Sequence, residues 1–131
     1  MTQQAEQAAV LQAVPTGLFI GGAWRKATDG STIAVEDPAT EAVLTEVASA
    51  TTGDALDALD AAVEAAPAWA ASTPNERSEL LWRAFDTVRT RAEDLALLMT
   101  LEMGKPLGES RGEVAYRRRG ECSCCVSCCG S

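Results

Sequence analysis

The chain has 131 residues, with 11 basic and 19 acidic side chains, no histidine, 47% hydrophobic residues and a net charge of −8. That length suits one modest domain, and the hydrophobic share is ordinary for a globular protein. The acidic balance argues against nucleic acid or an anionic membrane as partner, since both need Lys and Arg to neutralise phosphate. No apolar run approaches the ~20 residues of a membrane span.

The opening MTQQAEQAAVLQAV carries an acid and lacks a basic leader segment, so it does not read as a signal peptide. The expected location is the cytoplasm, where thiols stay reduced. Residues 1–15 read as a flexible lead-in or short helix. Strand signals begin beyond Pro15: Leu18–Ile20 is apolar, Gly21-Gly22 is a tight-turn pair, and Ala23–Arg25 returns. Asp29-Gly30 turns the chain into Thr32–Glu36, and Asp37-Pro38-Ala39-Thr40 turns it into Val43–Ala48. These segments predict a short antiparallel meander of three or four strands over about Leu18–Ala48.

Helix signals follow. Thr51-x-x-Asp54 resembles a capping box, and Leu56, Leu59, Val63, Ala66 and Trp69 or Ala70 recur on one face of a helix near 54–70. Thr73-Pro74-Asn75-Glu76 opens a second helix, near 75–89, with an N-cap, a proline at its first position and a glutamate at its third. Leu80, Leu81, Ala84, Phe85 and Val88 are its expected buried stripe. A third helix is expected over about Ala92–Met103, with Leu95, Leu98, Met99 and Glu102 to one side. Gly104 suits its left-handed cap, and Pro106 stops it. Leu107–Tyr116 can start a fourth, although Gly108 and Gly112 each cost about 1 kcal/mol against alanine. The chain therefore reads as α+β, a short β meander followed by three to four helices.

TGLFIGGAW, TIAVEDPATEAVLTEV, PAWAASTPNERSELLWRAFDTV and above all LALLMTLEMGKPLGESRGEV resemble the amino-terminal segment of the aldehyde dehydrogenase superfamily. The resemblance runs from about Thr16 to Tyr116 and is greatest to NAD(P)-dependent succinate-semialdehyde dehydrogenases, with the glutarate-semialdehyde branch next. It implies an α/β parent enzyme, a homo-oligomer using NAD or NADP. In that family a cysteine thiolate attacks the aldehyde, hydride passes to the nicotinamide, and a glutamate-activated water releases the acid. The motifs for those steps lie downstream of the matching segment, and none occurs in this chain. By this resemblance residues 16–116 are the first part of the cofactor-binding domain, a scaffold with no catalytic, cofactor-binding or metal residue. No cofactor is expected to bind the fragment, which is expected to be inactive and prone to self-association.

Four features invite functional readings. Gly17 and Gly21-Gly22 do not form G-x-G-x-x-G and open no helix, so they read as turn glycines. Lys105 reads as a cation at a helix C-terminus in preference to a phosphate ligand. In some aldehyde dehydrogenases an alkali cation sits near residues aligning with Val35, Glu36 and Glu102. A downstream ligand is missing, and Glu102 reads as a capping or buried paired acid. Trp24, Trp69 and Trp82 read as core or interface anchors.

Residues 117–131, RRRGECSCCVSCCGS, hold all five cysteines, and thirteen of those fifteen residues are Arg, Gly, Cys or Ser. Thiolates at this density suit Zn2+ or Cu+, yet one C-x-x-C without a second pair is not a zinc-ribbon pattern. Codons of the form NGC encode those four residues, and an alanine-rich message of GCN codons yields them when read out of register. The favoured expectation is an aberrant, disordered tail produced by a frameshift. An autonomous acidic helical module with a binding or regulatory role is the alternative to a truncated oxidoreductase.

Overall fold

The computed structural model describes residues 3–115, with side chains from residue 5 onward. Helix α1 (Gln3–Gln12) is followed by strands β1 (Leu18–Ile20), β2 (Ala23–Arg25), β3 (Thr32–Glu36) and β4 (Val43–Ala48). Helices α2 (Thr52–Ala71), α3 (Pro74–Thr90) and α4 (Ala92–Met103) come next, and residues 107–115 form a further helix, α5. The class is α+β, with elements in the order and close to the bounds that the sequence signals. The tail expected over 117–131 lies outside the described residues. Two compact units divide the chain after Ala71.

In the first unit β1 and β2 pair antiparallel, with Leu18 opposite Arg25 and Ile20 opposite Ala23. Gly21 and Gly22 take φ of 59° and 83°, the left-handed pair that a two-residue hairpin turn needs. β3 and β4 pair antiparallel from Thr32 opposite Ala48 to Glu36 opposite Val43. The four strands form two separate hairpins in place of one continuous meander. The turn between β2 and β3 explains the difference. The Gly30 N–H donates to the Ala27 carbonyl at 2.9 Å, and Asp29 Oδ1 accepts from the Ser31 N–H at 2.9 Å and hydroxyl at 2.7 Å. This knot of local bonds redirects the chain before β3 starts. The hairpins meet where the Ala48 N–H donates to the Thr16 carbonyl at 2.8 Å.

α2 starts from the expected cap. The Thr51 N–H donates to Asp54 Oδ2 at 2.9 Å, and the Asp54 N–H donates to Thr51 Oγ1 at 3.1 Å. Its covered face is nonetheless Asp54, Ala58 and Ala61, the first buried and the others half-buried. The apolar row Leu56, Leu59 and Val63 stays 57–63% exposed. A Cβ on Gly21 would lie 4.0 Å from Ala61 Cβ, so the β1–β2 turn rests on the alanine side. Small side chains let the two backbones approach, and the larger ones are left outside.

In the second unit, Thr73 Oγ1 accepts from the Glu76 N–H at 3.3 Å, while Glu76 Oε2 accepts from the Thr73 N–H at 2.7 Å. The Thr73 N–H, followed by the Thr73 hydroxyl, holds the Glu76 carboxyl below the usual carboxylate range. The expected buried stripe of α3 is not buried. Leu80 and Leu81 are 47% and 41% exposed, Phe85 and Val88 are half-buried, and no α3 residue is fully covered. Among the described residues too little packs on α3 to bury that stripe. The core of this unit is instead Ala96, Leu101 and Val114, with Ser110 among them. Gly104, at φ 68°, donates its N–H to the Thr100 carbonyl at 2.9 Å and frees α5 to start beyond Pro106.

The Thr73 cap is a local feature that can be removed alone. Thr73→Ala should cost about 1 kcal/mol at the start of α3. Amide exchange at Glu76 should then speed about fivefold, with α4 unaffected; unchanged Glu76 exchange would show that the hydroxyl is not the cap. A second expectation concerns the whole chain. Each large apolar side chain left in water forfeits about 1.5–3 kcal/mol, against a typical domain stability of about 5–15 kcal/mol. Scanning calorimetry should therefore give a broad, weakly cooperative transition or aggregation. A sharp transition from a monomer would overturn this.

Candidate functional site

The densest polar cluster of the first unit surrounds Asp54, whose side chain is fully shielded from solvent. The α2 start supplies the carboxylate, β2 supplies Arg25, and the following turn supplies Thr28. Asp54 Oδ1 accepts from Arg25 Nη2 at 3.0 Å and from the Thr28 hydroxyl at 2.6 Å. Oδ2 accepts from the Thr51 N–H at 2.9 Å, the Thr51 hydroxyl at 2.8 Å and the Thr28 N–H at 3.2 Å. Arg25 also reaches Asp57 Oδ2 at 2.8 Å. The Thr28 hydroxyl leads a set of hydrogen bonds that hold the Asp54 carboxyl far below its ordinary range. Such a carboxylate stays ionised with its oxygens occupied, so it has no use as a proton acceptor for a substrate. Its role is to tie three segments together.

A second feature of this unit is a cavity of about 210 Å3, lined among others by Thr16, Lys26, Ser31, Thr32 and Glu46. It is smaller than the ~300–1,000 Å3 usual for small-molecule sites. Glu46 already accepts from the Thr32 hydroxyl at 2.9 Å, and the lining contains neither cysteine nor histidine.

In the second unit three polar pairs join α4 and its following loop to α5. Arg111 donates to both carboxylate oxygens of Glu93 at 2.8–3.2 Å. This pair holds Glu93 below, and Arg111 above, their ordinary ranges through the side-chain hydrogen bonds first and charge attraction second. Thr100 and Ser110 hydroxyls lie 3.0 Å apart, with Ser110 fully buried. Lys105, expected as a helix-end cation, follows the Gly104 cap of α4 and also pairs with Glu113 of α5. A pairing across the Gly104–Pro106 turn depends on where α5 packs, which residue spacing alone does not reveal. Ser110 has a hydroxyl as its partner in place of a base, so it is not an activated nucleophile.

Gly21 and Gly22 sit at a strand–strand turn. Trp24 packs on Phe19 with ring centroids 5.1 Å apart, and Trp82 meets Phe85 edge-on at 5.4 Å. Val35 and Glu36 lie on β3, while Glu102 is exposed on α4. Among the described residues no group of three His, Cys, Asp or Glu could hold a metal ion, and no helix is long and apolar enough to cross a membrane. The starts of α2 and α3 do not suit a phosphate. A phosphate needs free N–H groups and positive potential at a helix N-terminus. The α2 and α3 starts carry the Asp54 and Glu76 carboxylates, already bonded to the local N–H groups. Sequence reasoning had Asp54 as a cap and missed Arg25 and Thr28 as its partners, since neither spacing nor motif links them.

Residues 24–120 match the model of the aldehyde dehydrogenase family. The chain belongs to that family. It is 61% identical over 74 residues to a succinate-semialdehyde dehydrogenase of Paenarthrobacter nicotinovorans, covering 56% of this chain and 16% of that protein. It is 44% identical over 98 residues to a glutarate-semialdehyde dehydrogenase of Pseudomonas aeruginosa, covering 75% of this chain and 20% of that protein. Among solved structures, betaine aldehyde dehydrogenase from Staphylococcus aureus, in complex with NAD+, superposes with a TM-score of 0.82 at 27% identity. The superposition covers 86% of this chain and 23% of that one. The chain thus spans about a fifth of the length of the aldehyde dehydrogenases it matches.

The Asp54 cluster makes a pH-dependent contribution to this segment of the family fold. Its folded-state pKa lies below the ordinary 3.8, so the contribution is complete above about pH 4 and declines as pH falls below that. Exchange protection of the Thr28 and Thr51 amides should drop on acidification from pH 4 to pH 2. In Asp54→Asn it should be low at both values. Wild-type protection that does not respond to acid would remove the carboxylate from this role.

Proposed function

We propose that this chain is the amino-terminal scaffold of an NAD(P)-dependent succinate-semialdehyde dehydrogenase, whose whole-enzyme reaction oxidises succinate semialdehyde to succinate. The observation that carries the substrate is the 61% identity to the succinate-semialdehyde enzyme, against 44% to the glutarate-semialdehyde one. The second match extends over 98 residues against 74, which makes glutarate semialdehyde the second reading.

No step of that reaction is assigned to residues of this chain. Its cysteines all fall between Cys122 and Cys129, away from the segment that resembles the family, and carboxylates occupy the α2 and α3 starts. Residues 1–15 are proposed as a lead-in, 16–116 as the first part of the cofactor-binding domain, and 117–131 as a frameshifted tail. The composition of that tail, Arg, Gly, Cys and Ser at thirteen of fifteen positions, supports the frameshift. The acidic charge supports a cytoplasmic protein without nucleic-acid or membrane partners. The parent enzyme is proposed to be a homo-oligomer, and the exposed leucines of α2 and α3 support self-association of the fragment.

Two measurements test this reading. Resequencing past the Tyr116 codon should recover an open frame that continues the family sequence. A confirmed stop after Ser131, with no such frame downstream, would sink the frameshift. The purified chain should reduce no NAD(P)+ with succinate semialdehyde, before or after all five cysteines are replaced by serine. The restored full-length enzyme should do so with a higher kcat/KM than with glutarate semialdehyde, and the reverse order would favour the second reading.

A further inference from the structure

We draw no further inference here: the strongest candidate, the outer apolar face of α2 formed by Leu56, Leu59 and Val63, stands exposed and nothing in the structure shows what covers it.

Discussion

A carboxylate enclosed away from water must find donors for its lone pairs or lose its charge. Asp54 meets that demand with five hydrogen bonds drawn from β2, the following turn and the residue that caps its own helix. The organisation of the first unit depends on that arrangement. With Asp54 turned inward at the start of α2, Ala58 and Ala61 follow on the same side of the helix at steps of four and three. The β1–β2 turn can then lie against them. Leu56, Leu59 and Val63 have no choice but to point elsewhere.

The second unit relies on shape as much as on charge. Its buried residues are Ala96, Leu101, Val114 and Ser110, and Thr100 satisfies the Ser110 hydroxyl at 3.0 Å. A buried hydroxyl without a partner is costly, so the pair restricts α5 to one rotation against α4. Arg111–Glu93 and Lys105–Glu113 sit nearer the surface, where solvent screens ion pairs and their value lies more in register than in strength. Both units thus use polar groups to specify geometry that a small apolar core leaves open.

Legibility in the sequence followed the range of the interaction. Caps and stops act within a few residues, so Thr51, Thr73, Gly104 and Pro106 mark helix ends closely. The buried face of each helix is decided by what packs on it. Leu80 and Leu81 have helical spacing without cover, because the described residues contain too little surface to bury them. The strands pair as two hairpins for a related reason: Asp29 and Ser31 fold the β2–β3 link into its own bonded turn, which no alternation pattern records. Of the Asp54 cluster only the Thr51 cap is legible in the sequence. Arg25 and Thr28 stand 26–29 residues before their common partner, beyond the reach of any local signal.

The junction between α3 and α4 consists of Arg91 alone, the last cap of one helix and the first of the next, at φ −102° and ψ 21°. Its N–H still serves the Thr87 carbonyl, and its carbonyl already serves Leu95. With both backbone groups engaged and no spare residue, the link works as a fixed elbow. An insertion or deletion here would have to break one of these two bonds or lengthen the link, so the elbow keeps a geometry that substitutions preserve and changes of length do not.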